Sequence, residues 1–333
     1  MLNLANIKNG WSSTIVKNDK PIGLSIIVCN YNSDLSHILL TLASCIYQKG
    51  CDYEVIYCDD GSENSFKDEV VSFFKKHKFK NYQLQISKTN QGTLKNLING
   101  LKVSKFRYCK TIGSGDLFYD ENSLSRVVEK FEYFSSDVII VNSCYFFDFG
   151  KEIKTYKVRN PYYIKCYQDS HYNKEKIKKR LLLNQDMILG ASVYARTDML
   201  LEVYEDFTDK IKYTEDALLA YVALIDGKFN YVDDYCIYYE YGSGISTSKE
   251  TEFSKIIKNE CETIYDYMST LKIHPKYKKW LINRKKVRNA SGIKALFLKL
   301  FVTPSQFKIK IASKHVRKET PSFDFYHKCK ESI

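Results

Sequence analysis

Apolar and polar positions alternate in two rhythms over the first third of the chain. Residues 24–30 (LSIIVCN) form an apolar run that closes on polar residues, the pattern of a strand buried on both faces. Residues 34–49 (DLSHILLTLASCIYQK) repeat apolar side chains at helical spacing, with Asp34 expected as the N-cap. The alternation continues as strand 53–58, helix 65–78, strand 82–87, helix 93–103 and strand 106–112. Strands and helices in this order predict right-handed crossovers and a parallel, doubly wound α/β sheet.

After residue 116 the rhythm changes. A helix over 121–134 precedes an apolar strand at 137–146 (DVIIVNSCYF). Residues 148–185 are charged and Tyr-rich and read as irregular, and 187–195 read as extended. Within that stretch, Gly190-Ala191-Ser192 leaves room for close approach to the backbone. Thr214 is expected to cap a helix at 216–226, 229–240 reads as a strand, and Tyr241–Ser248 reads as a Gly/Ser-rich loop suited to closing over a ligand. The remainder reads as helices broken near Pro275. The chain thus divides into a lead at 1–21, an α/β domain at 22–248 with halves 22–116 and 117–248, and a helical extension at 249–333.

Polar residues gather where the expected strands end, which is where doubly wound sheets bind ligands. The first strand ends in Asn30-Tyr31-Asn32 and the second in Asp59-Asp60-Gly61-Ser62. The third is followed by Asn90-Gln91-Gly92, and the fourth ends in Gly113-Ser114-Gly115-Asp116. Asp59 or Asp60 suits a hydrogen bond from a base imide or ribose hydroxyl, and the Tyr31 ring suits stacking on a base. Asp116 suits a hard divalent cation, which would neutralise a diphosphate leaving group. Glu215-Asp216 is a second acidic focus, suited to general-base work on an acceptor hydroxyl. Neither GxGxxG nor GxxxxGK[ST] is present, which counts against a dinucleotide oxidoreductase and a P-loop NTPase.

The order SIIVCNYN, DDGS, NQG with a following Lys95-Asn96, GSGD and TED resembles the family 2 glycosyltransferases of GT-A fold over residues 22–248. That resemblance implies a Rossmann-like, mostly parallel sheet with flanking helices, to which this chain adds its C-terminal helical extension. It also implies inverting transfer of a sugar from a nucleotide diphosphate sugar, most often UDP-linked, to a hydroxyl of a glycan or glycolipid acceptor. Gly242–Thr247 looks like bacterial members that build surface polysaccharide or lipooligosaccharide.

Carried over residue by residue, the resemblance puts Tyr31 and Asp60 at the nucleotide base, with Asn32 and Asp59 beside them. Asn90, Gly92, Lys95 and Ser114 fall near the nucleotide, and Asp116 at a Mg²⁺ or Mn²⁺ ion. Asp216 becomes the catalytic base with Glu215 its neighbour, and Gly190–Ser192 lines the acceptor cleft. Lys95 stands where the family has Arg, which keeps the charge and loses the bidentate fork. The family's DxDD motif is thinned to a single acid, so metal affinity is expected to be low until the sugar diphosphate adds oxygens. The alternatives are a nucleotidyltransferase, which would normally show a Gly-rich basic loop after its first strand, and a non-catalytic nucleotide-sugar-binding module.

Charge changes the picture for the extension. Of the net +12, residues 250–333 carry +11, and 267–318 hold 15 Lys and Arg with no Asp or Glu. These basic residues alternate with apolar ones, as in Trp280-Leu281-Ile282 and Ala295–Phe301. Attraction to anionic lipid and interfacial insertion are expected. No nucleic-acid-binding motif accompanies the charge, so nucleic acid is not an expected partner. The 10 cysteines form no CxxC pair and no Cys/His cluster, which points to free thiols in a reducing compartment. The N-terminus lacks a signal-peptide core, and no stretch approaches the roughly 20 apolar residues of a membrane span. The expected location is cytoplasmic, peripheral at the inner face of the cell membrane.

Overall fold

The computed structural model describes residues 20–150, 152–156, 160–184, 186, 188–241, 252–303 and 321–333. Its first half follows the expected alternation: β1 (Leu24–Asn30), α1 (Leu35–Ile46), β2 (Tyr53–Asp59), α2 (Lys67–Lys76), β3 (Tyr82–Ile86), α3 (Thr93–Val103) and β4 (Tyr108–Gly113). β5 (Leu117–Phe118), α4 (Ser123–Phe134), β6 (Val138–Asp148) and β7 (Ile153–Tyr156) follow. Then come α5 (Lys174–Leu182), β8 (Val193–Arg196), α6 (Thr197–Phe207), α7 (Leu219–Leu224) and β9 (Phe229–Glu240). The extension comprises α8 (Glu252–Thr270), α9 (Pro275–Arg288), α10 (Gly292–Phe301) and α11 (Asp324–Ser332).

The nine strands among the described residues join one sheet in the order β3-β2-β1-β4-β8-β6-β9-β5, with β7 beside β6. β3, β2, β1 and β4 are parallel, as the helical crossovers require, and β6 runs parallel to β9. β8 is antiparallel to both β4 and β6, while β5 and β7 add antiparallel edges. The sheet is therefore mixed beyond β4, and the break comes where the regular sequence alternation stops.

Side chains of β1 alternate between two apolar layers. Ile27 packs with α3, α6 and α7 on one face; Leu24, Ile26 and Val28 pack with α1, α2 and α4 on the other. The extension is built into both layers. Ile264 and Met268 of α8 and Leu281 of α9 enter the first, and Phe325, Tyr326 and Cys329 of α11 enter the second.

Several local expectations change. Asp34 occupies the N-cap position of α1 without a capping side-chain bond; its carboxylate lies 3.8 Å from His37 instead. Residues 148–185 are less irregular than their polarity suggests, since they contain β7 and the amphipathic α5. Gly190–Ser192 is a 3₁₀ turn, and extended structure begins only at Val193. Thr214 is followed by a 3₁₀ turn at Glu215–Leu218 before α7 begins. Residues 242–251, most of the expected closing loop, lie outside the described residues. All ten cysteines are free, and no helix among the described residues is long and apolar enough to cross a membrane.

Candidate active site

The register of the parallel strands brings the polar ends together. Asn30 pairs with Asp59, and Cys29 pairs with Gly113, so β1, β2 and β4 end side by side. Asp59 is fully buried and accepts bonds from Asn30 Nδ2 at 2.7 Å, the Ser62 amide at 3.0 Å and Ser62 Oγ at 2.6 Å. Asp60 turns the other way and accepts from the Gln91 amide at 2.9 Å and the Gly92 amide at 2.8 Å. One acid thus fixes its own turn, and the next anchors the loop after β3. Burial raises the Asp60 pKa and the two amides pull it back down.

The loop anchored by Asp60 is tight. Gly92 has φ +94°, and a Cβ there would sit 2.8 Å from the Lys212 Cβ, so only glycine fits. Asn90 Oδ1 also accepts from the Gly92 amide, while Gln91 and Lys95 are exposed. Asn32 adopts φ +51°, with its amide donating to Ser62 Oγ and its Oδ1 accepting from the Glu63 amide. Tyr31 projects beside it, 49% exposed, an open ring at the mouth of the cleft. Tyr213 faces this group across the cleft, and Asp60 and Tyr31 help burial to raise its pKa. Ser114 closes the β4 end, its amide donating to the Cys29 carbonyl at 3.1 Å.

Asp116 follows in a turn under β9. Its Oδ1 accepts from the Glu240 amide at 3.2 Å, and Oδ2 has no hydrogen-bond partner among the described residues. Burial raises its pKa to about 7, opposed by the Glu240 amide and by Lys110, while the Glu240 carboxylate adds to the rise. Among the described residues, no group of three or more His, Cys, Asp or Glu side chains converges as a metal cage. One free, hard carboxylate oxygen fits a cation that arrives with other oxygens already bound, and not a resident ion.

Glu215, half-buried, and Asp216, exposed, border a pocket lined by Cys109, Thr111, Val193, Tyr204 and Leu219. Asp216 Oδ2 accepts from the Gly190 amide at 3.1 Å. A Cβ on Gly190 would come within 2.0 Å of Asp216 Oδ1, which explains the small residue there. The pocket walls around Asp216 desolvate it and raise its pKa to about 6, opposed by the Gly190 amide and Lys110, while the residue stays exposed at the cleft. Burial and the neighbouring Asp216 charge push Glu215 well above the carboxylate range, and its Oε2 has no partner.

Two residues that sequence reasoning did not single out organise this half. Lys110 on β4 is completely buried, and desolvation lowers its pKa to about 8 against the pull of Asp116 and Asp216. It thereby links the two carboxylates electrostatically. A lysine inside the apolar run YCKTI was the available signal. Glu260 on α8 accepts from the Lys212 amide at 2.8 Å, the Tyr213 amide at 2.9 Å and Thr214 Oγ1 at 2.7 Å. Thr214, expected to cap a helix, is held by the extension instead. At the other end of the cleft Ser62, expected in the turn after the second strand, links Asp59, Asn30 and Asn32.

Crossovers on parallel strands, polar strand ends and acids gathered across the cleft define an α/β domain of the nucleotide-binding kind. The chain belongs to glycosyl transferase family 2, whose family model matches residues 25–199. Its fold is shared with S. aureus TarS 1-349, at TM-score 0.52 and 16% identity over 93% of this chain and 90% of that one. The crystal structure of TarS 1-349 in complex with UDP-GlcNAc gives TM-score 0.53 at 16% identity, covering 93% and 91%. The complex of the same protein with UDP gives 0.51 at 16% identity, covering 93% and 90%. No curated protein sequence matches the chain.

Proposed function

We propose that this glycosyltransferase transfers a sugar from a UDP-linked donor to a hydroxyl of a glycan or glycolipid acceptor, with inversion, in bacterial surface-polysaccharide synthesis. The observation that carries this reading is Asp216. It is a solvent-accessible carboxylate with its pKa raised to about 6, held by the Gly190 amide beside a cleft of converging strand ends. Such a group is deprotonated at neutral pH and basic enough to take a hydroxyl proton. The TarS domain crystallised with UDP and with UDP-GlcNAc supports a uridine donor for a chain of like fold.

In this mechanism Tyr31 stacks on the base, and Asp60 with Asn32 and Asp59 holds the surrounding turns. Each Asp60 oxygen keeps a lone pair for the base or ribose. Asn90, Gly92, Lys95 and Ser114 border the ribose and diphosphate. Asp216 removes the proton from the acceptor hydroxyl as its oxygen attacks the anomeric carbon. The bond from that carbon to the diphosphate oxygen breaks on the opposite face, so the configuration inverts and the nucleoside diphosphate leaves. Burial and the Asp216 charge raise the Glu215 pKa, which disfavours a second charge beside the base. A donor-borne Mg²⁺ or Mn²⁺ would be held by Asp116 and would offset diphosphate charge. The basic extension holds the enzyme at the anionic inner face of the membrane, where a lipid-linked acceptor lies.

The test is thermal shift and nucleotide release. UDP-sugars with Mn²⁺ are expected to raise Tm, by at least a few degrees at a hundredfold excess over Kd. Acceptor-dependent UDP release is expected to follow. Stabilisation without release under any acceptor would reduce the chain to a binding module.

A further inference from the structure

Among the described residues, α10 is a helix whose apolar side chains face outward. None of its residues is buried among those described. Ile293 is 89% exposed, Leu296 52%, Phe297 58%, Leu300 47% and Phe301 69%. These fall at i, i+3, i+4, i+7 and i+8, one continuous face of a helix. The two aromatic rings lie 4.4 Å apart between centroids, so the face presents a joined aromatic patch. α10 leans on α9 as its main neighbour. A soluble monomer rarely leaves a patch of this kind uncovered.

The charge around the patch selects its cover. Residues 272–303 hold ten Lys and Arg and no Asp or Glu. Four of these cations are neutralised: Arg284 and Arg288 by Glu262, Lys285 by Asp266, and Lys276 by Glu175. Lys272, Lys278, Lys279, Lys286, Lys294 and Lys299 are exposed, and no acidic side chain pairs with them among the described residues. Ile282, on the solvent side of α9, adds a further apolar contact at 45% exposure. An apolar stripe flanked by unpaired lysines matches an anionic bilayer surface, with rings among the acyl chains and ammonium groups at the headgroups.

We infer that α10 is the membrane-inserting element of this enzyme, lying in the interface plane with Ile293, Leu296, Phe297, Leu300 and Phe301 toward the acyl chains of anionic lipid. This rests on the reading that the extension docks at a membrane, and it assigns the docking to a single helix face. Because α9 packs against the core through Leu281 and Val287, insertion of α10 fixes the whole domain against the bilayer.

The experiment is flotation of the full chain with vesicles of phosphatidylcholine alone or with about 30 mol% phosphatidylglycerol. The wild type is expected to float with the anionic vesicles only. The double variant Phe297→Ser, Phe301→Ser removes two exposed rings, so folding and donor-induced thermal shift are expected to be unchanged. Its vesicle affinity is expected to fall about tenfold or more. A Leu300→Trp variant is expected to gain emission that brominated acyl chains quench, above the wild-type background.

Equal flotation of wild type and double variant, without quenching, would overturn the assignment to α10 while leaving charge-driven docking in place. Failure of the wild type to float at all would remove both, leaving the transferase reading intact. A wild-type dimer that becomes a monomer in the double variant would show that a second copy covers the face. That outcome, too, would overturn the inference.

Discussion

Two acidic pairs, Asp59–Asp60 and Glu215–Asp216, carry the same formal charge in opposite circumstances. The first pair is saturated: its oxygens accept bonds from Asn30, Ser62, Gln91 and Gly92. The second pair is starved. Asp216 accepts one amide bond from Gly190, and Glu215 has an oxygen with no partner. Saturated carboxylates hold backbone in place. Starved ones keep raised pKa values and remain available to a substrate proton. The comparison assigns construction to the β1–β2 end of the cleft and chemistry to the β4–α7 end.

The sharpest way to break this contrast is to neutralise one acid from each pair. Asp216→Asn is expected to lower kcat about 10²–10⁴-fold with donor binding retained. Asp60→Asn puts an amide donor against the Gln91 or Gly92 amide. It is expected to lose about 1–3 kcal/mol of stability and to weaken donor binding more than turnover. Swapped phenotypes would refute the division. The pH profile gives a second reading of the same base. The Asp216 pKa is raised to about 6, so the active, deprotonated form dominates above that pH. kcat/KM is expected to fall tenfold per pH unit below about 6, and a rate flat down to pH 4.5 would exclude Asp216 as the base.

The saturated end was the legible one. Strand boundaries for β1, β2 and β4 came within a residue or two of the apolar runs, because buried parallel strands need continuous apolar sequence. The turn residues Asp59, Asp60 and Gly92 were visible because tight turns and polar strand ends leave local signatures. At the starved end Asp116, Gly190–Ser192 and Glu215-Asp216 were legible, but the groups that organise them were not. Lys110 was hidden as one charge inside an apolar strand. Glu260 was unreadable, since it is one acid among several on an amphipathic helix and its partners lie 46 to 48 residues away. The antiparallel β8 was equally opaque, because β pairing at a distance is set by packing and not by local pattern.

Glu260 offers a smaller test, of how far the reactive end depends on the extension. Glu260→Gln keeps one acceptor oxygen for three donors, so the 212–214 segment loosens directly ahead of Glu215. A loss of kcat of about tenfold is expected, with KM for the donor little changed, because misplacement of the base acts on the reacting geometry. If KM rose while kcat held, Glu260 would serve the donor side through Tyr213 instead.

The smallest effect should come from Asp116 in the ligand-free protein with chelator present. Its pKa is raised to about 7, above the unfolded value near 4. The sign follows from that order. Below about pH 4 the acid is protonated in both states and has no pH-linked effect. Between 4 and 7 the unfolded chain ionises first, so the folded state loses ground, and above 7 the penalty is complete. Asp116→Asn removes the penalty and can still accept from the Glu240 amide. The gain is offset because Lys110 loses one of the two carboxylates that keep its buried ammonium charged. The expected balance is about 1 kcal/mol of added stability at pH 8 and none near pH 4, read as Tm at each pH. A variant less stable than wild type at pH 8 would mean that Asp116 serves chiefly as the counter-charge of Lys110. The two ends of the cleft would then differ less than their hydrogen bonds imply, since a carboxylate of the reactive end would also be holding structure.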